Sequence, residues 1–317
     1  MKVGEIDEII GVLPKGKTPF HYYPGRYVFM LLDFITSENM KIAHLKKGRF
    51  SSLLEKPEVK RKMSSYGSGI LPAASFEDWV EEPFTFLLTI GRWGPGKVRK
   101  STDFDWYQTT RSENNLVLQL NFSNHHNVEY VRLVDPDDEG LYFEYSVHPI
   151  CRNGLRTMAW SRLDIDLKSG EVLIEEIQSD WFRAAFERGL WWLGLPPWKC
   201  ASEAQRKMMK RFHRYLETVL KPYREIWEEA MMASTIWFLR EELGIRKLFY
   251  HTWSSGNYLK GIRASYAKPP LSLYKKLPEK FCFQKTDELP SFLNKESSRK
   301  WKEGLKKDIV EFYSVEL

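Results

Sequence analysis

The chain has 317 residues, enough for one large domain or two ordinary ones with a sizeable core. Hydrophobic residues make up 43% and aromatics 15%, which excludes a disordered chain; 12 Trp, 15 Tyr and 19 Phe predict aromatic-rich cores or stacking surfaces. A net charge of +6 and a pI near 9.0 favour an anionic partner, such as nucleic acid, an acidic protein or a phosphorylated ligand, without requiring one.

In chain order, residues 27–36 (YVFMLLDFIT) and 84–90 (FTFLLTI) read as buried strands or short helices. Residues 44–63 between them carry seven Lys and Arg and read as a basic, solvated helix with turns. Residues 91–100 (GRWGPGKVRK) form a loop, a boundary or an anion-facing segment. From residue 115 the pattern becomes successive strands: 116–122, 129–134, 141–147, 157–167 and 172–177, separated by turn signals. Short connections predict an antiparallel meander, and Lys168-Ser169-Gly170 makes a hairpin of the last two. Residues 181–193 follow as a short amphipathic helix. Residues 203–243 form a long helix, broken or kinked at Pro222 and capped by Gly244. Residues 247–253 (KLFYHTW) read as a strand, 254–256 as the start of a loop, 280–284 (KFCFQ) as a last short strand, and 295–313 as a charged closing helix.

Cys151, Cys200 and Cys282 are odd in number and lie outside any CxxC or CxxH pattern, which argues against a disulfide framework or zinc site and for a reducing compartment. No apolar run approaches ~20 residues, and residues 1–13 lack a secretory apolar stretch. The expectation is a cytoplasmic protein with no membrane span and no signal peptide. Dinucleotide, P-loop, serine-hydrolase and zinc-protease signatures are absent, and metal binding has little support.

The chemistry concentrates in Glu171–Trp181 (EVLIEEIQSDW), a strand ending in Glu175, Glu176, Gln178 and Asp180. Alternation places Val172, Ile174, Glu176 and Gln178 on one face, and Leu173, Glu175, Ile177 and Ser179 on the other. A carboxylate buried beside Ile174 and Trp181 suits a general base; the competing reading pairs these acids with Arg162, Arg183 or Arg188 in a structural network. His251 shares a face with Phe249 and Trp253. It is either a satisfied core histidine or part of a site with Ser255 and Asn257. The cluster Trp191, Trp192 and Trp198 beside Pro196-Pro197 caps a pocket, stacks a ring or packs in a core.

From about residue 116 to 284 the order of elements resembles the GNAT superfamily of N-acetyltransferases: a meander, a strand ending in EEIQSDW, a helix, the strand 245–252, then a Tyr before a last strand. The resemblance implies an α+β fold with a central, mostly antiparallel mixed sheet (about residues 115–285) and flanking helices. It divides the chain into an N-terminal region (1–110), a core (111–290) and a C-terminal helix (291–317). It implies an acyltransferase acting on an amine-bearing substrate with acetyl-CoA or another acyl-CoA. Glu176, alone or through a water shared with Gln178, would be the base and Tyr274 the acid; Asp180 and His251 would join the catalytic set, and Trp181, Trp253, Ser255 and Asn257 would bind substrate. Where the family carries its phosphate loop, this chain has Ser179-Asp-Trp-Phe-Arg-Ala-Ala. Over roughly a hundred residues the segment is also similar to uncharacterised proteins of phages and mobile elements. That implies a second function, a nucleic-acid- or protein-binding module using residues 91–100 and 206–214.

Overall fold

A computed structural model describes residues 1–12, 18–36, 40–71, 83–94, 108–111, 113–136, 143–145, 147–149, 154–195, 202–294, 296 and 298–317. The strands are β1 (Thr18–Tyr22), β2 (Met40–Lys41), β3 (Ile70–Leu71), β4 (Phe84–Trp93), β5 (Asn115–Asn121), β6 (Thr157–Asp166), β7 (Glu171–Gln178), β8 (Lys247–His251), β9 (Gln284–Thr286) and β10 (Phe312–Glu316). β2 and β3 pair separately. The other eight form one sheet in the order β1-β4-β5-β6-β7-β8-β10-β9, so the protein is α+β with a large mixed sheet flanked by helices. Among the described residues only β7 and β8 run parallel; the remaining neighbours are antiparallel. A parallel pair needs a long crossover. Helical residues 203–242 supply it.

The sheet extends past the span expected from sequence at both ends, through β1 and β4 on one side and β10 on the other. One face is apolar: Phe86, Leu88, Leu118, Leu163, Val172 and Ile174 share a core with Ile226, Ala230, Met231 and Ile236 of the crossover helix Lys221–Trp237. The other face is polar over much of its width. Thr89, Gln119, Trp160 and Gln178 form one cross-strand row, and Gly91, Val117, Arg162 and Glu176 the next. Further along it, Leu173, Phe249 and Phe312 pack with Leu259 and Trp301 in a second, smaller core.

The hairpin β6–β7 and the strand at β5 form as expected, and residues 27–36 resolve as the helix Arg26–Ile35. Residues 129–134 are not a strand. Residues 129–133 lie in the helix Asn124–Leu133, whose buried His126, Tyr130 and Leu133 recur at helical spacing, and Val134 caps it. Of 141–147, residues 143–145 are irregular and 141, 142 and 146 lie outside the described residues, as do 95–100, Cys151, 196–201 and their Trp198 and Cys200. Pro222 does not break its helix; a wider π-helical turn, Tyr215–Leu220, precedes it and loosens the bonding pattern in which its missing N–H would count. The expected loop at 254–256 is helix Trp253–Lys260, capped by Thr252, whose side chain accepts from the Ser255 amide.

Residues 280–284 are not a strand, because Cys282 takes φ 61° and breaks the alternation of Phe281 and Phe283; β9 begins only at Gln284. The closing helix is short, Arg299–Lys306. After Asp308 at φ 51° the chain enters the sheet as β10, between β8 and β9.

Candidate functional site

The pairing of β6 with β7 shifts register: Arg162 faces Glu176 but Leu163 faces Ile174, so Glu175 has no cross-strand partner. This is a β-bulge, and it overturns the strict alternation expected from the sequence. Val172, Ile174 and Ile177 all enter the large core, while Leu173 enters the small one. Glu175 and Glu176 consequently serve the same polar layer. Lys260 Nζ touches both, 3.0 Å from the Glu175 carbonyl oxygen and 3.8 Å from the Glu176 carboxylate. On the other side of β7, the ladder to β8 stops at Ile174 and Tyr250. One residue further, Glu175 and His251 are joined through side chains instead.

The inner part of the site is almost wholly buried. Glu175 accepts from the Thr110 amide at 2.8 Å and the Thr110 hydroxyl at 2.9 Å, and His251 Nε2 lies 3.1 Å from the same carboxylate. Burial alone would raise the Glu175 pKa, but the hydrogen bond to His251, with the nearby charges of Arg162 and Lys260, holds it down at about 2. Burial lowers the His251 pKa against the pull of Glu175, so the imidazole is neutral at pH 7 with its proton on the carboxylate side. Arg162 donates to Glu176 and to the Gln108 carbonyl, each at 2.7 Å, and its guanidinium lies 5.0 Å from the centre of the Trp93 ring. Lys260 also donates to the Tyr274 hydroxyl at 3.2 Å. Burial lowers the Lys260 pKa and raises that of Tyr274, so the phenol keeps its proton.

An outer part continues the same face toward solvent. Asp180 accepts from Gln178 at 2.6 Å and from Trp160 Nε1 at 3.3 Å, and lies 2.8 Å from His148 Nδ1. Trp93 stacks on Trp160 at 6.0 Å and 18°, and Tyr145 lies 5.3 Å from the His148 ring. Side-chain exposure rises from 0% at Glu175 through 9% at Glu176 and 13% at Asp180 to 26% at His148, a graded passage from the buried cluster to the surface.

The expected residues therefore divide. Glu176, His251 and Tyr274 meet in the inner cluster; Gln178 and Asp180 form the outer one. Trp181 is fully buried among Phe122, His126, Tyr130 and Phe143, and its indole donates to Tyr215 at 2.7 Å. Trp253 donates to the Pro269 carbonyl at 3.0 Å and carries Lys268 over its ring. Ser255 Oγ, Asn257 Oδ1 and His251 Nδ1 are buried without a hydrogen bond, and such atoms are where a bound polar group would find partners. Sequence reasoning missed Thr110, His148 and Lys260 as members. A lysine ending a helix has no local mark of burial, and Thr110 and His148 come from segments remote from β7.

The residues after β7 do not fit an acyl-CoA pyrophosphate. Ser179 spends its side chain on the Phe182 amide, and the first helical residue is Asp180, whose carboxylate would face the phosphates. Among the described residues no group of three metal-ligating side chains converges, and no helix is long and apolar enough to cross a membrane. Compared with models of known protein families, with curated proteins and with solved structures, the chain matches none.

Proposed function

We propose that the chain is a GNAT-like transferase that moves an acyl group onto an amine, working where β7 and β8 part. The observation that carries this reading is the end of the one parallel ladder at Ile174 and Tyr250, beyond which the carboxyl ends of both strands turn ionisable groups into a shared polar layer. Open sheets bind ligands at such points. The antiparallel run β5–β6–β7, the crossover helix and the parallel strand β8 are consistent with this reading.

In this reading the incoming amine is held at the outer cluster, where Asp180 and the Trp93–Trp160 pair suit an ammonium group. His148, oriented by Asp180, takes its proton. The free amine attacks the acyl carbon; the bond to the leaving atom breaks, Tyr274 protonates that atom, and the tyrosinate left behind takes the second proton from the new amide nitrogen. The Tyr274 hydroxyl oxygen accepts from Lys260, which leaves the phenolic proton to give. Glu176 balances charge, because Arg162 and Lys260 occupy its carboxylate. The donor is an acyl compound recognised without a pyrophosphate loop.

The test compares acetyl-CoA with acetyl-pantetheine, a thioester lacking the nucleotide, using a panel of amines and mass detection of the acylated product. Acetyl-pantetheine should serve as readily as acetyl-CoA, and Tyr274→Phe should lower turnover about 100-fold in protein that circular dichroism shows still folded at the assay temperature. Absence of transfer from both donors at millimolar concentration would overturn the reading.

A further inference from the structure

One stretch of the chain carries a large surplus of positive charge. Residues 183–214 hold eight Lys and Arg against two Glu, a surplus of six that equals the formal net charge of all 317 residues. The remaining chain is balanced. Most of this surplus lies on the helix Glu203–Arg214, where Arg206, Lys207, Lys210, Arg211 and Arg214 are exposed, and on the exposed Arg188. Lys207 pairs with Glu203 and Arg183 with Glu187, which leaves Arg188, Arg206, Lys210 and Arg211 without an ion pair among the described residues.

Beside these cations lies a cavity of about 410 Å³ lined by Phe186, Arg188, Trp191, Met209, Phe212 and His213, among others. Its wall is rigidly built. Gly189 packs so closely on the Phe212 ring that any side chain there would collide with it, and Arg224 stacks on Phe186 at 3.9 Å. Trp191, one turn away, is 71% exposed, more than any other large hydrophobic residue described. A water-facing indole on a rigid support among unpaired cations is the combination that holds single-stranded nucleic acid, with bases stacking on the ring and phosphates meeting the charges. An acidic protein would use the cations and leave the indole idle. A duplex would hide its base faces.

We infer that the face formed by Arg188, Trp191, Arg206, Lys210 and Arg211 binds single-stranded nucleic acid, at a place separate from the transferase site. The experiment measures fluorescence anisotropy of labelled single-stranded RNA and DNA 12-mers, a 12-base-pair duplex and poly-glutamate, at low and moderate salt, with the full chain. Single strands should bind more tightly than the duplex and poly-glutamate, and affinity should fall steeply with salt. Trp191→Ala should weaken single-strand binding about tenfold. Arg206→Glu with Lys210→Glu should abolish it and leave the melting temperature unchanged. A preference between the RNA and DNA strands would assign the natural ligand. Equal binding of duplex or poly-glutamate, or a Trp191→Ala variant that binds like the parent, would overturn the inference.

Discussion

At the residue scale the polar layer is an ion network that tolerates little loss. Glu176 is 7% exposed and faces Arg162, itself 1% exposed, and Lys260. Glu176→Gln removes the carboxylate that Arg162 and Lys260 both contact, and should cost about 3–5 kcal/mol in urea unfolding. A loss under about 1 kcal/mol would mean that the cations are compensated elsewhere. His126 gives a pH test. Burial pushes its pKa down to about 3, while in the unfolded chain it titrates near 6.5. The unfolded state therefore binds a proton first as pH falls, so stability present above pH 6.5 drains away toward pH 3, by roughly 1.4 kcal/mol per pH unit. His251 titrates in the same direction. Glu175, held at about 2, adds its loss only below the ordinary carboxylate value of 4.5. Between pH 6.5 and 4.5 the parent should therefore lose more stability than the His126→Gln variant, measured by urea unfolding across that window.

At the element scale, turn chemistry is where local sequence speaks most clearly. Gly244 ends the crossover helix at φ 66°, with its amide on the Arg240 carbonyl and that of Ile245 on the Leu239 carbonyl. Nothing lies within 4 Å of the position a methyl group would take, so Gly244→Ala isolates backbone strain. It should cost about 1 kcal/mol in thermal unfolding with no other change. Gly170 in the β6–β7 turn, at φ 66°, was legible for the same reason. The bulge was not. EVLIEEIQ reads as unbroken alternation, and only the pairing of Arg162 with Glu176 shows that Glu175 is skipped. Likewise Glu-Tyr-Val-Arg-Leu-Val fits a strand and a helix equally in isolation. Burial of Tyr130 beside Trp181 decides for the helix.

At the scale of the whole molecule, the last strand closes the sheet. β10 pairs with both β8 and β9, and Phe312, Tyr313 and Val315 are buried. Each buried side chain contributes about 1.5–3 kcal/mol, against a total stability of about 5–15 kcal/mol. Truncation after Glu311 would also strand β9 and bare the edge of β8. The shortened chain should lack a cooperative urea transition, and a parent-like transition would show that β10 is dispensable.

The sequence by itself determined what depends on near neighbours: the long helical stretch after residue 203 with its end at Gly244, the β6–β7 hairpin, the β8 strand and the crowding of acids at the end of β7. These follow from propensity, periodicity and turn chemistry, which act over a few residues. Only the tertiary structure decided which acids share a face, that Lys260 stands between them, that Thr110 and His148 join from remote segments, and that the C-terminus is a strand inside the sheet. Those outcomes depend on register and burial. Both are set by free energies summed over partners far apart in sequence, 141 residues in the case of Thr110 and His251.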